Sequence, residues 1–429
     1  MSIPKKNVVL RTPPAKPRYN PRLAFPRKYI LIFIKMHKKF VHSKNSLYLC
    51  TIFGLISPMN MKKICLILGI MVSMVVMAQG KASGLKFTDA HQLRVINRGY
   101  TDTTPLYTRV PDTLIPMMWE KSRWNAYCAC GIAVRFRTNA KQIGVRYNLK
   151  YDFGMSWMAY TGIKGTDLYV LDEDLNRWNY LSTSRPVKDS IQEKTYGVAL
   201  EGKMYEYMIY LPLYDGINWL EVGVDSAATI EYPKVDNPRH DVKVLFYGTS
   251  VMQGGCATRP GMTQSSILQR RLGIECVNLG ISGEGKVVHE NAHVLAAADD
   301  HIACYVIDPL MNNTKEMVDT LGEGFLRIIR EAHPHTPIIM VAGQVQPQQK
   351  FDTHLREYNP VRNEIWKGIY TKLKKEGWKN LYWIEQGDFN GPETDGTVDG
   401  AHLSDLGFVY YADLVQPYIE KALKKAKVK

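Results

Sequence analysis

The feature that most constrains this chain is a change of hydrophobic period on either side of "EYPKVDNPRHD", residues 231–241. Upstream, apolar residues recur at every second position: Ile132, Val134 and Phe136, then Ile143, Val145 and Tyr147. A period of two marks strands with one buried face. "YMIYLPLYDGINWLEVGV" predicts two more strands around Asp215-Gly216, a hairpin signal. No long helical period occurs between 85 and 232, and several such strands close naturally as a β-sandwich. Downstream, "VKVLFYG", "ECVNLG", "ACYVID", "PIIMVAG" and "NLYWIE" are short apolar runs, each followed by a helical stretch. The pattern predicts helices near 263–271, 286–298, 315–333, 355–376 and 405–424. Strands alternating with helices imply a parallel sheet covered on both faces. The expected organisation is an all-β domain over 85–232 and an α/β domain over 240–426, with the Pro-containing segment as linker.

Net charge does not point to nucleic acid. The formal charge is +14, but residues 1–60 hold twelve Lys/Arg and no Asp/Glu, and Lys62 and Lys63 follow. The remaining 41 basic residues balance 41 acidic ones, so the excess lies in a leader rather than on a folded face. "MKKICLILGIMVSMVVMAQG" opens with Met61 and two lysines, continues as an apolar run from Ile64 to Ala78, and ends on small residues. That is the grammar of a secretory signal peptide. The run is short for a membrane span, and no cysteine follows for a lipid anchor. The expectation is an upstream extension (1–60), a signal segment (61–78) and a periplasmic or secreted mature protein. Five cysteines remain beyond it: Cys128, Cys130, Cys256, Cys276 and Cys304. An odd count leaves at least one free thiol.

The ligand site of a parallel sheet lies beyond the carboxyl ends of its strands. Ser250, Gly283 and Asn312 each follow such an end. Ser250 sits in "LFYGTSVMQGG", between an apolar run and a glycine pair. A hydroxyl needs a base to act as a nucleophile. "DGTVDGAHLSDLG" supplies Asp399 and His402, three apart, so one turn brings the carboxylate to the imidazole and leaves Nε2 for the serine. Oxyanion donors are the N–H groups of Ser250 and Gly283 and the amide of Asn312, with Asn313 as a competitor. Arg259 is close to Ser250 in sequence; it either meets substrate or ties down its own loop.

These residues carry a family resemblance. "GTS" (248–250), "NLGISGEG", "DPLMNN" and "DGAH" resemble the blocks of the SGNH (GDSL-type) hydrolases. Thr249 stands where the usual pattern has Asp, a position that supports the turn rather than the chemistry. "GTDLY" (165–169) resembles the GxDLY-type β-rich domain that precedes some bacterial SGNH esterases. The resemblance implies a three-layer α/β/α, flavodoxin-like domain and an ester hydrolase with Ser250, His402 and Asp399 as triad. It implies Ser250, Gly283 and Asn312 as oxyanion hole, no metal or cofactor, and O-acetylated carbohydrate as the usual substrate. Lipid or thioester acyl groups are the alternative within that chemistry, and a non-catalytic glycan-binding protein the alternative outside it.

Two rival signals remain. "HENAH" (289–293) has the spacing of a zinc peptidase, with His289 and His293 on one helical face and Glu290 as base, but no third ligand stands at the metzincin spacing, the nearby Glu316 begins another helix across a strand, and a polar helix face accounts for it. "DEDLN" (172–176) lacks the glycine and glutamate of a calcium loop and reads as a hairpin tip. Five of the eight tryptophans (Trp119, Trp124, Trp157, Trp178, Trp219) lie in the β region and are expected in its core. "YDFGMSW" (151–157) is a loop placed to cover the site's edge.

Overall fold

The computed structural model describes residues 84–425 except 386 and 388, all within one compact unit, Val76–Lys429. The expected leader and signal segment lie outside the described residues. The β region contains β1 (Leu85–Asp89), β2 (Arg94–Ile96), β3 (Ala133–Thr138), β4 (Ile143–Leu149) and β5 (Asp167–Asp172). It continues with β6 (Arg177–Thr183), β7 (Ile191–Thr195), β8 (Tyr205–Tyr210), β9 (Ile217–Asp225) and β10 (Ile230–Glu231), with one-turn helices α1 (Arg123–Ala126) and α2 (Tyr160–Ile163) between. The strands form two antiparallel sheets, ordered β1-β9-β4-β7 and β10-β3-β8-β5-β6, with β2 also on β3. The alternating residues named above face one core: Ile132, Val134, Phe136, Ile143, Val145 and Tyr147 are all buried together. The period of two thus sorted each strand into an inner and an outer face.

Asp215-Gly216 predicts a hairpin, and the structure differs. β8 and β9 belong to opposite sheets, so the chain crosses the sandwich there. Asp215 explains the difference. A hairpin-tip aspartate faces water, but Asp215 is fully buried. Its carboxylate accepts the N–H groups of Tyr151 (2.9 Å) and Phe153 (2.8 Å), so it braces the 151–157 loop. By contrast "DEDLN" is a hairpin tip: β5 and β6 pair antiparallel, and Asn176 takes φ +47°.

The second region is a parallel sheet, ordered β12-β11-β13-β14-β15, of β11 (Arg239–Gly248), β12 (Ile274–Gly280), β13 (Ile302–Asp308), β14 (Ile338–Val341) and β15 (Leu381–Ile384). Helices α3 (Ser250–Gln253), α4 (Gln264–Leu272), α5 (His289–Ala296), α6 (Lys315–Ala332), α7 (Thr353–Lys375) and α8 (Asp405–Lys425) connect and cover it. The predicted helices match α4 to α8 within a few residues at each end. The five described cysteines are free and buried. No helix among the described residues is long and apolar enough to cross a membrane.

The β region does more than precede this sheet. Each face of the sheet has an apolar cluster, and both clusters include β-region residues: Tyr100, Val110 and Met118 in one, Met158, Leu213 and Tyr214 in the other. The β region also seals the free edge of β12. On an edge strand, alternate residues turn their N–H and C=O groups outward. At Cys276 the N–H donates to Asn97 Oδ1 (3.2 Å). At Asn278 and Gly280 the carbonyls accept from Arg109 Nη1 (3.1 and 2.6 Å). Asn97 N–H in turn donates to the buried Glu275 carboxylate (2.8 Å).

Burial pushes the Glu275 carboxyl up to about 7, against the opposing pull of Lys243 and the Asn97 N–H. The folded state therefore keeps a proton that the unfolded chain releases near pH 4.3. Its contribution to stability falls as pH rises from about 4 to 7 and levels off above. Glu275→Gln keeps an acceptor and has no proton to lose. Urea denaturation should show the variant gaining on the wild type between pH 5 and pH 8, by on the order of 2 kcal/mol; an equal difference at both pH values would refute this.

Candidate active site

Three strands set the level of the site. Gly248, at the end of β11, pairs in register with Gly280 of β12 and with Asp308 of β13. Ser250 lies two residues past that level, Gly283 three and Asn312 four. Beyond Gly248 the chain turns at once into α3, packed so tightly that a Cβ on Gly280 would stand 2.1 Å from Gln253 N. Gly254 closes α3 at φ +102°, a backbone conformation that suits glycine.

Ser250 opens α3 and is largely buried. Its Oγ stands 2.8 Å from His402 Nε2. His402 Nδ1 stands 2.7 Å from Asp399 Oδ2, and Asp399 Oδ1 accepts the N–H groups of Ala401 (3.0 Å) and His402 (2.8 Å). Partial burial works against the charged Asp399. The bonds from His402 N–H, the His402 ring and Ala401 N–H outweigh it and hold the carboxyl below its ordinary value. An ionised Asp399 fixes the proton on Nδ1 and leaves Nε2 to accept the serine hydroxyl.

Gly283 has φ +74°, and a Cβ there would meet nothing within 4 Å, so this backbone borders open space. Asn312 Oδ1 accepts from Gly285 N–H (3.3 Å), which leaves its Nδ2 without a partner among the described residues. Asn313 is committed elsewhere: its Nδ2 donates to Gly285 O (3.2 Å) and Pro309 O (2.7 Å), and its Oδ1 accepts from Val287 N–H (3.0 Å). The two asparagines are thus separable by geometry. Asn312 has a donor to offer, and Asn313 builds the loop. Gly285 lets that loop lie against β11, since a Cβ there would stand 2.1 Å from Gly248 O.

Residues 241–420 match the model of the GDSL-like lipase/acylhydrolase family, and residues 85–230 match the GxDLY model, the N-terminus of SGNH-hydrolase-type esterases. The chain belongs to the SGNH (GDSL-type) hydrolases. It is a serine hydrolase of the ester-cleaving kind. A protein of Bacteroides ovatus described as a GDSL-like lipase is 29% identical, with TM-score 0.75, over 79% of this chain and 98% of its own. Two further structures share the fold. One is the salicylyl-acyltransferase SsfX3 of a tetracycline biosynthetic pathway (18% identity, TM-score 0.63, 79% and 98% covered). The other is a family two carbohydrate esterase of Clostridium thermocellum in complex with cellohexaose (12%, 0.54, 77% and 99%). Among curated proteins none matches.

Within this SGNH hydrolase the β region reaches the site's rim. Tyr214 OH donates to Ser250 O (3.4 Å), and Thr161 Oγ1 donates to Thr258 O (2.6 Å). The GxDLY motif has a physical role here. Its Asp167 is fully buried and binds Arg259 Nη1 (2.8 Å) and Gly261 N–H (2.8 Å). Its Tyr169 OH accepts from the same Nη1 (2.7 Å). Arg259 also lies 3.9 Å over the Tyr180 ring. Of the two sequence readings of Arg259, the geometry supports the loop tie: its guanidinium is occupied by Asp167 and Tyr169, which clamp the loop after Ser250 to β5. Sequence reasoning missed Asp167 as Arg259's partner, although the motif itself was visible. It also missed Arg109, which no motif marks.

"HENAH" lies on α5 as expected, with His289, Glu290 and His293 exposed. Among the described residues no three His, Cys, Asp or Glu side chains gather as a metal site. The buried polar member is Asn291, whose Nδ2 donates to Tyr247 OH (3.0 Å) and whose Oδ1 accepts from Trp119 N–H (3.3 Å). Of the β-region tryptophans Trp178 is core. Trp157 (55% exposed) and Trp219 (36%) face outward, contrary to expectation; Trp157 lies between Phe153, bonded to Asp215, and the buried Met158.

Arg259→Ala leaves Asp167 buried without its counter-charge. Breaking such a pair costs about 3–5 kcal/mol, so thermal and urea unfolding should show a large loss of stability while KM for a small ester changes little. Unchanged stability with a raised KM would return Arg259 to a substrate contact.

Proposed function

We propose that this SGNH hydrolase removes short acyl groups, O-acetyl foremost, from carbohydrate by attack of Ser250. The observation that carries the chemistry is the unbroken line Ser250 Oγ–His402 Nε2 (2.8 Å) and His402 Nδ1–Asp399 Oδ2 (2.7 Å). Ser250 attacks the ester carbonyl while His402 takes its proton. Asp399 holds the imidazole in the required tautomer and stabilises the imidazolium. Ser250 N–H, Gly283 N–H and Asn312 Nδ2 receive the oxyanion. His402 gives the proton to the departing sugar oxygen. Water then attacks the acyl-enzyme, and the same base serves again.

The carbohydrate reading has separate support. The 151–157 loop is bonded to Asp215 through Tyr151 and Phe153, and Trp157 on it and Tyr160 at the start of α2 are exposed. The loop borders the nucleophile segment, with Met158 packed in the cluster that contains Val251 and Met252. Exposed aromatic rings on a fixed loop suit the apolar faces of sugars. The fold neighbour from Clostridium thermocellum is a carbohydrate esterase. The signal-like grammar of residues 61–78 supports action in the periplasm or outside the cell, where acylated glycans occur. The partner on this reading is an acylated glycan or an acylated small molecule rather than nucleic acid. The reading needs no metal and no cofactor.

The test is hydrolysis of 4-nitrophenyl acetate and acetate release from an O-acetylated oligosaccharide. Ser250→Ala should lower kcat by about 10⁴ or more, and EDTA should leave the wild type unchanged. Asn312→Ala should cost about 10²–10³ in kcat, while Asn313→Ala should chiefly destabilise the fold. Activity that survives Ser250→Ala but not EDTA would overturn the serine mechanism. Preference for long-chain acyl esters over acetyl sugars would overturn the substrate class and favour a lipid acylhydrolase.

A further inference from the structure

The base and the oxyanion donor sit on different loops. His402 lies between β15 and α8, and Asn312 follows β13. Catalysis requires the two to be held within about half an ångström of their working geometry, and among the described residues no hydrogen bond joins one loop directly to the other. Between them runs a chain of buried side chains that the mechanism does not use.

The chain starts at the two peptides separating Asp399 from His402. Gly400 O accepts from Gln346 Nε2 (3.3 Å), and Ala401 O accepts from Gln344 Nε2 (2.5 Å). Gly400 has φ +85°, and a Cβ there would stand 2.6 Å from the Gln348 amide, so the glutamine segment lies directly on this backbone. Gln346 Oε1 accepts from Asn359 Nδ2 (3.0 Å), which also reaches Gln349 Oε1 (3.1 Å). Asn359 Oδ1 accepts from Arg362 Nη2. Arg362 Nη1 then donates to Leu310 O (2.8 Å) and Asn313 O (3.2 Å), the carbonyls that bracket Asn312. Asn359 and Arg362 lie on α7, so the chain is mounted on a helix. Asn363 of the same helix holds the start of the glutamine segment through Gly343 N–H (2.8 Å).

Arg362 is 7% exposed and, among the described residues, has no carboxylate partner within ion-pair distance. A buried guanidinium bonded to neutral carbonyls and an amide is expensive. It is a poor way to obtain stability, yet a good way to fix two loops, because its planar fork meets several acceptors at set angles.

We propose that Gln346, Asn359 and Arg362 are positioning residues that hold the His402 loop in register with the Asn312 loop. They touch neither substrate nor the reacting atoms; they act through Gly400 and through the carbonyls flanking Asn312. The inference rests on the Ser250–His402–Asp399 reading, and Ser250→Ala tests that reading independently.

The experiment is a double-mutant cycle on 4-nitrophenyl acetate hydrolysis, joining Gln346→Ala to Asn312→Ala, with circular dichroism and thermal unfolding as checks of fold. Gln346→Ala should lower kcat about tenfold with KM within twofold. In the Asn312→Ala background, where no oxyanion donor remains to be registered, the same substitution should cost less than threefold. Asn359→Ala should behave alike, and Arg362→Lys should not restore what Arg362→Met loses, since an ammonium lacks the fork. Where Arg362→Met fails to fold, the Gln346 and Asn359 cycles still decide. Strictly additive losses, or losses that follow thermal stability alone with kcat intact in the folded fraction, would overturn the proposal. Should Ser250→Ala retain activity, the catalytic reading falls and this proposal with it; additive losses beside an inactive Ser250→Ala overturn this proposal alone.

Discussion

The rest of the structure depends on how the outer edge of β12 is closed. A parallel sheet that ends in an unpaired strand exposes a row of donors and acceptors. Here two side chains from the β region take their place. Asn97 and Arg109 are both buried, and between them they satisfy Cys276 N–H, Asn278 O and Gly280 O. Arg109 also donates to Cys128 O and Asn125 O, so one guanidinium ties the two regions by their backbones. Hydrogen bonds to a charged group are each worth about 1.5–3 kcal/mol, and orphaned buried carbonyls would cost about as much. The two regions are therefore not beads on a linker: removing one would open the sheet edge of the other.

That closure lies one turn from the chemistry. Gly280, whose carbonyl Arg109 holds, is the last residue of β12, and Gly283 follows on the same loop. Gly280 also faces α3 at a distance that excludes any side chain. The end of β12 is thus held from outside by Arg109 and from inside by the helix that carries Ser250. A second clamp, Asp167 on Arg259, fixes the loop after Ser250. Trp119 makes a third contact, its Nε1 donating to Glu284 Oε2 (3.1 Å), next to Gly283. The β region consequently positions both the Ser250 segment and the Gly283 loop, although it carries none of the groups proposed to react.

What was legible in the sequence follows from this division. Local rules were enough for the helices and strands of the sheet, because apolar period and length decide them. They were also enough to bring Ser250, Asp399 and His402 to one edge, because parallel sheets gather loops at their carboxyl ends. They failed at Asp215-Gly216. A turn dipeptide reports only that the chain bends, and whether it returns in the same sheet depends on what its carboxylate finds inside. They failed likewise at Arg109 and Arg362, where the signal is a burial that sequence does not display. Asn312 and Asn313 could not be told apart in the sequence, since only their hydrogen-bond partners separate them.

Buried arginines mark where this fold fixes the geometry of its strand ends and loops. Arg109 binds backbone carbonyls, Arg362 binds backbone carbonyls and the Asn359 amide, and neither forms an ion pair among the described residues. They stand on opposite flanks of Ser250, one behind the Gly283 loop and one behind the Asn312 loop. A hydrophobic replacement at either place would leave strand-end and loop carbonyls unpaired and free to move. The oxyanion donors proposed on those loops are useful only if fixed before the charge develops. Two costly cations behind two such loops are therefore most simply understood as the price of that rigidity.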